Sequence, residues 1–180
     1  MKICSILLLL CWIGFSGCAQ VKLSLKYDPQ TTEEISAKIK VGDFGYFPEE
    51  GVAQNEIRTT ALGTLLLTED VGIYFANAVK REFRQAGISL KGSCKLDGEV
   101  NKFLLDDLGY SADYLTDVRY ILYDESGKVL MDNNYIVEFN TSKFVVAQVI
   151  LDNFNKAVSD NIKQLMIDPA FLSGVQNNCS

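Results

Sequence analysis

The side chains best suited to chemistry in this sequence are carboxylates and thiols, because the chain contains no histidine. Histidine is the commonest general base near neutral pH, so a Ser-His-Asp or Cys-His device is excluded within this chain. Asp106, Asp107 and Asp113 could form a carboxylate cluster for a metal or for acid–base catalysis. Gly109 stands among them, and aspartates around a glycine are typical of a solvated turn, which is the interpretation we favour. We therefore expect no catalytic, metal-binding or cofactor-binding residues, and no enzyme.

The first 17 residues form an apolar leader. Lys2 is followed by the apolar run 3–13, which contains no charged residue, and then by small residues. The run is too short to span a hydrocarbon core of ~30 Å, and the pattern predicts a secretory signal peptide. Gly17 and Ala19 fit the small-x-small rule of an ordinary signal peptidase, which would cut before Gln20.

A second cleavage site competes with this one at Phe15-Ser16-Gly17-Cys18, which resembles the lipobox of bacterial lipoproteins. The resemblance implies that the Cys18 thiol is joined to a diacylglycerol, that the leader is cut before it, and that the new amino group is acylated. Several acyl chains hold a protein stably on a membrane, whereas one chain binds only marginally. Phe15 departs from the usual leucine. Ala19, in place of the aspartate of inner-membrane retention, implies the outer membrane and its periplasmic side.

Cys94 and Cys179 remain once the leader and Cys18 are set aside. In an oxidising compartment they could pair, and the disulfide would close a long loop worth about 4–5 kcal/mol in the chain-entropy model. The alternative, which we favour, is a buried Cys94 in a strand and an unpaired Cys179 in a frayed tail. No Cys-x-x-Cys occurs, so zinc and thioredoxin-type sites are not indicated.

Aromatic residues give two candidate binding surfaces. Phe44, Tyr46 and Phe47 lie in the segment 43–60, whose length and glycines predict a flexible loop suited to contact a protein partner. The other surface is the sheet face not covered by helices. The tyrosines assigned to this face are Tyr110, Tyr114 and Tyr120. Packing of these aromatic side chains into the core is an equally good interpretation of both patterns.

Lys80, Arg81 and Arg84 form a basic cluster that could contact anionic headgroups. These residues also fall near the predicted C-terminal end of a helix, where positive charge complements the helix dipole. We favour the second interpretation. The formal net charge of -6 disfavours nucleic acid as a partner.

Hydrophobic periodicity predicts the element order β-β-α-β-β-β-α. Both helices have one apolar face, so we expect an α+β two-layer sandwich. Its antiparallel sheet of about four or five strands would carry two amphipathic helices packed on one face. The predicted strands are 21–27, 35–41, 93–105, 112–123 and 129–139, with another short strand within 59–67, and the predicted helices are 68–86 and 144–167.

This order of parts resembles the YajG family of bacterial lipoproteins. The likeness is carried by N-N-Y-I-V-E-F-N-T-S-K at 133–143 and by A-V-S-D-N-I at 157–162, and it covers about 71–172. The family offers no catalytic residues to transfer. The resemblance implies an envelope lipoprotein with a small periplasmic domain, and a broader likeness extends to auxiliary lipoproteins of lipid-transport systems.

The expected organisation is a signal peptide at 1–17, a lipid anchor and N-terminal segment at 18–30, and a single periplasmic α+β domain at 31–180. A hydrophobic content of 48% with 22% charged residues fits a globular domain. The expected function is that of a non-enzymatic envelope lipoprotein that binds or supports a protein partner in an outer-membrane assembly. The alternative is an auxiliary subunit of a lipid or ABC-type transport system.

Overall fold

The computed structural model describes residues 22–179. The predicted signal peptide and the predicted lipidation site, Cys18, lie outside the described residues. The helices are α1 (Val71–Gln85), α2 (Ala147–Ile167) and α3 (Pro169–Asn178). The strands are β1 (Lys22–Leu23), β2 (Lys38–Tyr46), β3 (Glu56–Thr59), β4 (Leu65–Leu67), β5 (Ser89–Asp106), β6 (Ser111–Tyr123) and β7 (Val129–Ser142).

The sheet formed by these seven strands is larger than predicted and mixed. Its strand order is β1-β4-β3-β5-β6-β7, and β2 also pairs with β5. β5, β6 and β7 form the predicted antiparallel meander, but β2 and β3 both run parallel to β5. The expectation of four or five antiparallel strands was wrong because, along the chain, α1 comes after β2 and β3 and before β5. A helix that connects two strands carries the chain back to the end of the sheet where the first strand began. The second strand therefore runs parallel to the first.

The α+β architecture, with helices packed against a sheet, is confirmed for the described chain. Alternate residues of β5 and β6 are buried, in the period of two that exposes one face of a strand to the core. The helix α1 contacts β2 and β5, whereas α2 contacts β6 and β7. α3 was not predicted as a separate helix. Pro169 restarts the chain as a helix, and the Asp168 carboxylate accepts hydrogen bonds from the Ala170 and Phe171 amides.

None of the three tyrosines considered for the uncovered sheet face lies on it: Tyr110 is in the β5–β6 turn, and the other two pack into the core, the interpretation given equal weight above. Tyr114 and Tyr120 are fully buried and share the strand face of Val118 and Leu122, which points toward the helices. The Tyr120 hydroxyl donates to Asn161 Oδ1 of α2 at 2.8 Å. A buried tyrosine needs a polar partner for its hydroxyl, and Asn161 provides one for Tyr120.

The segment predicted as a long loop from residue 43 belongs in part to β2. The Phe44 ring lies over Gly98 and contacts Tyr120 edge-on, with ring centroids 6.0 Å apart. A Cβ at Gly98 would lie 2.2 Å from this ring, so the packing requires glycine there. Phe44 is half-buried, Tyr46 is buried, and of the three predicted aromatics only Phe47 is exposed. Phe44 and Tyr46 therefore stabilise the core, and binding of a partner by the exposed Phe47 stays a prediction.

Cys94 and Cys179 form a disulfide, contrary to the unpaired arrangement that we favoured. The bond joins β5 to the residue that follows α3, and the Lys38 amide donates to the Cys179 carbonyl at 2.8 Å. Treating the C-terminal residues as a frayed tail caused the error, because α3 carries Cys179 back against the sheet. Both cysteines are almost completely buried.

Candidate functional site

The N-terminal segment, residues 24–35, runs along α1 from β1 to the opposite end of the helix. It begins beside the hydrogen bond from the Thr68 amide to the Leu23 carbonyl, and at its end the Ile35 amide donates to the Ala86 carbonyl at 2.8 Å. The segment forms neither helix nor strand, so side chains must provide most of its contacts. Any group attached upstream of Lys22 is coupled to the domain through β1, which pairs with β4, and then through this segment.

Glu82 is the side chain that fixes the N-terminal segment to α1. Its carboxylate is 1% exposed and accepts hydrogen bonds from the Gln30 and Thr31 amides, both at 2.9 Å. It also accepts from the Tyr27 hydroxyl and, at 3.2 Å, from the Ser159 hydroxyl of α2. Burial, and then the Glu82 hydrogen bond, raise the pKa of Tyr27, which therefore stays a donor at all physiological pH values. Four donors satisfy a charge that would be costly to bury alone.

Three further side chains hold the same segment by its backbone carbonyl groups. Arg81 Nη1 donates to the Tyr27 carbonyl at 2.8 Å, and Gln85 Nε2 donates to that of Thr31 at 2.7 Å. Asn155 Nδ2 of α2 donates to the Lys26 carbonyl at 3.0 Å. Because these contacts come from two helices, the segment is part of the folded domain rather than a free linker.

The predicted basic cluster lines an open groove of about 540 Å³ between this segment and α1. Within the cluster, Arg81 is engaged by the Tyr27 carbonyl, and Arg84 lies in the last turn of α1 as the helix-dipole interpretation requires. The groove walls are polar and charged. Its lining residues are Ser24, Leu25, Lys26, Tyr27, Glu69, Tyr74, Asn77, Lys80, Arg81 and Arg84.

A second feature, the apolar tip, lies at the end of the sheet where β5 ends and β6 begins. It comprises five exposed apolar side chains from three connections: the β3–β4 hairpin, the β5–β6 turn and the β7–α2 link. The Tyr110 and Phe144 rings are 6.4 Å apart between centroids, so the turn and the link form one surface. The apolar tip consists of Leu62 (52% exposed), Leu108 (71%), Tyr110 (87%), Phe144 (76%) and Val146 (70%).

The carboxylate of Asp107 joins these three connections beneath the apolar tip. Its Oδ1 accepts hydrogen bonds from the Thr60 amide at 3.0 Å and the Ala61 amide at 2.6 Å, both in the hairpin. Lys143 of the β7–α2 link donates through Nζ to the Asp107 carbonyl, and the same Nζ lies 3.9 Å from Oδ2, an ion-pair distance. The residue is 1% exposed, so it is a structural anchor that sequence reasoning placed in a solvated turn.

The other two aspartates considered above have separate roles. Asp106 accepts from the Leu108 amide at 3.1 Å, and hydrogen bonds from Thr60 and from this amide lower its pKa. Asp113 accepts from Asn140 across β6 and β7. Among residues 22–179, no group of three or more carboxylate, thiol or imidazole side chains is arranged to hold a metal ion.

We expect Asp107→Ala to lower the free energy of unfolding by about 2–3 kcal/mol, because it removes a buried carboxylate that accepts hydrogen bonds from the Thr60 and Ala61 amides and pairs with Lys143. Amide hydrogen exchange at Thr60 and Ala61 should accelerate in the same variant. Asp106→Ala is the matched control, since its exposed side chain accepts hydrogen bonds only at the surface of the turn, and we expect a clearly smaller loss. Equal losses in the two variants would contradict the anchoring role.

Comparison with solved structures shows where this fold recurs. A Xanthomonas campestris protein assigned to the family DUF330 matches with a TM-score of 0.64 at 13% identity, over 87% of this chain and 98% of that one. An uncharacterized protein matches with a TM-score of 0.56 at 11% identity, over 81% and 97% of the two chains. The Neisseria meningitidis lipoprotein GNA1162 is more distant, with a TM-score of 0.33 at 12% identity over 71% and 99%.

The first two of these similarities show a shared fold. At identities below 25% they do not transfer a binding partner or an activity. No protein-family model and no curated protein matches the sequence. Membership of the YajG family therefore stays a prediction. Within residues 22–179, none of the helices has the length and apolar character needed to cross a membrane.

Proposed function

We propose that this protein is a lipid-anchored lipoprotein of the bacterial cell envelope, facing the periplasm from the outer membrane, and that it binds or supports a protein partner without catalysing a reaction. The observation that carries the proposal is Cys18, placed after Phe15-Ser16-Gly17 at the end of an apolar leader. A cysteine in this context is suited to receive the lipid that attaches a globular domain to a membrane.

The disulfide between Cys94 and Cys179 supports the proposed compartment. Disulfides persist in oxidising compartments such as the bacterial periplasm and are rare in the cytosol. The fixed N-terminal segment supports the anchoring role, because Glu82, Arg81 and Gln85 connect it directly to the domain. A pull on the lipid would therefore be transmitted to α1 and not to a loose linker.

The proposed binding role, without catalysis, is supported by the residues of the chain. A chain without histidine lacks the usual general base, and the carboxylates Asp106, Asp107 and Asp113 make separate structural contacts. The basic groove beside α1 is open and polar, whereas a lipid carrier needs an enclosed apolar cavity. Participation in lipid or ABC-type transport is therefore left as the alternative prediction.

Cys18→Ser tests the proposal directly. We expect wild-type protein expressed in a Gram-negative bacterium to sediment with the outer membrane and to carry the mass of a triacylated chain beginning at Cys18. A serine hydroxyl cannot replace the thiol in lipid transfer, so this variant should keep its leader or appear in the soluble periplasmic fraction. Fractionation and intact-mass measurement of the purified protein give the two readouts.

The matched control is Cys11→Ser, which makes the same change inside the leader and should leave both mass and location unchanged. A Cys18→Ser protein with unchanged mass and unchanged membrane association would contradict lipidation at this residue. A mature chain beginning at Gln20 would show that ordinary signal peptidase cleavage at Ala19 operates instead.

A further inference from the structure

The apolar tip and the N-terminal entry of the chain lie at the same end of the sheet. β5 runs toward the tip, and β3, which is parallel to it, ends at the hairpin 60–64 that carries Leu62. β4 leaves this hairpin and runs away from the tip, and β1 is parallel to β4, with Lys22 beside Leu66. The N-terminal end of β1 is therefore its end nearer the tip.

The short tether fixes how far a lipid could lie from this end. Only four residue steps separate Cys18 from Lys22, and a fully extended chain of that length spans at most ~14 Å. The residues after the tether are themselves held against the domain, since β1 pairs with β4, and Asn155 and Arg81 hold the carbonyl groups of Lys26 and Tyr27. An acylated Cys18 would bring the membrane surface close to the tip end of the domain.

We propose that the apolar tip lies against the phospholipid leaflet that holds the lipid of Cys18, with Tyr110 and Phe144 at headgroup depth. This inference rests on the proposed lipidation. The surface has the composition of an interfacial contact, since aromatic and aliphatic side chains are favoured where headgroups meet acyl chains. Five large apolar side chains from three connections are exposed at this end of the sheet, with the Tyr110 and Phe144 rings in contact, and a cluster of exposed apolar groups marks an interaction site.

The polar contacts beneath the tip fit this role. Asp107 and Lys143 neutralise each other below the surface while fixing the three connections, so the outer layer presents apolar groups on a rigid support. The chain carries a net negative charge and Asp106 lies beside Leu108, so the contact would depend on apolar insertion and would not require anionic lipid. Because the short tether to Cys18 starts at the same end of the sheet as the apolar tip, we favour lipid over a protein partner as the surface that covers the tip.

A tryptophan reporter tests the proposal, because the only tryptophan of the sequence, Trp12, lies in the leader and is lost on cleavage. Phe144→Trp would place a single indole in the tip, at a side chain exposed enough to tolerate the change. Phe47→Trp is the matched control. Phe47 is also exposed, but it lies beside Val100, six residues or about 20 Å of strand before the end of β5.

The two lipidated variants are purified, checked by intact mass, and reconstituted at low density in phosphatidylcholine vesicles whose acyl chains carry bromine. We expect the F144W emission to shift to shorter wavelength and to be quenched about twofold or more by brominated lipid, since interfacial groups sit ~5–10 Å into the headgroup boundary. The emission wavelength and intensity of F47W in the brominated vesicles should match those of F47W in detergent without brominated lipid.

Equal and weak quenching in F144W and F47W, in protein whose mass shows the lipid, would overturn the tip contact while leaving the proposed function intact. A shift of F144W emission without quenching would mean that protein covers the tip, which also overturns the proposal. Protein whose mass lacks the lipid would instead disprove the lipidation on which both proposals rest.

Discussion

Reduction of the Cys94–Cys179 disulfide is expected to lower the free energy of unfolding of the mature protein by about 4–5 kcal/mol. The two cysteines are 85 residues apart, and the closed loop contains most of β5, all of β6 and β7, and helices α2 and α3. Opening this loop restores conformational entropy to the unfolded chain and leaves the folded contacts largely in place. For a domain of this size the unfolding midpoint should fall by roughly 10–15 °C.

Thermal unfolding of the oxidised and the reduced protein, purified from membranes in detergent, measures this effect without a change of sequence. Cys94→Ala with Cys179→Ala gives the same comparison without reductant. Alkylation of the unreduced, denatured protein should modify neither cysteine. An unfolding midpoint that is unaffected by reduction, or free thiols at Cys94 and Cys179 in protein isolated without reductant, would contradict the disulfide.

The central meander and both long helices could be predicted from the sequence because their patterns are local. Buried and exposed residues alternate along β5 and β6, and α1 and α2 each have an apolar stripe. These patterns arise because one face of each element is buried, so each can be identified without knowledge of its neighbours. Short strands carry too few residues to show such a pattern. β3 and β4, with four and three residues, could not be identified from their period alone.

Strand pairing was harder to predict because it depends on residues distant in sequence. The parallel pairing of β2 with β5 joins Val41 to Leu96 across α1, and neither strand reveals its partner. The close approach at Gly98 offered one signal, since glycine in a strand often marks an aromatic ring or a backbone lying directly above it. The disulfide was missed for a similar reason, because its geometry is set by the path of α3.

The candidate site left one signal that sequence reasoning passed over. Glu82 lies on the same helical face as Phe75, Val79 and Ala86, all buried, so a carboxylate was placed where the pattern requires an apolar residue. A charged residue on an apolar stripe indicates buried polar partners. The apolar tip gave no such signal, because its side chains belong to three connections that only the fold brings together.

Glu82→Gln is expected to lower the free energy of unfolding by about 2–3 kcal/mol and to detach the N-terminal segment from α1. The carboxylate accepts from four donors, and an amide presents an N–H group where at least one of the Tyr27, Gln30 and Thr31 donors needs an oxygen. A buried donor that faces another donor loses its hydrogen bond and stays desolvated. Tyr27→Phe removes one of the four donors and should have a smaller effect of about 1 kcal/mol.

Limited trypsin digestion distinguishes local detachment from general instability. In the wild type the Lys26 carbonyl is held by Asn155, so cleavage after this lysine should be slow, whereas in Glu82→Gln it should become the first cut. In the proposed lipidated protein, cleavage there would separate the domain from Cys18 and release it from the membrane while α1 and most of the sheet remain folded. Glu34→Gln is the matched control, because it makes the same change at an exposed position in the same segment. If Glu82→Gln and Glu34→Gln have the same unfolding midpoint and are cut after Lys26 at the same rate, Glu82 does not anchor the segment, and the segment must be held on α1 by its other contacts, those of Arg81, Gln85 and Asn155.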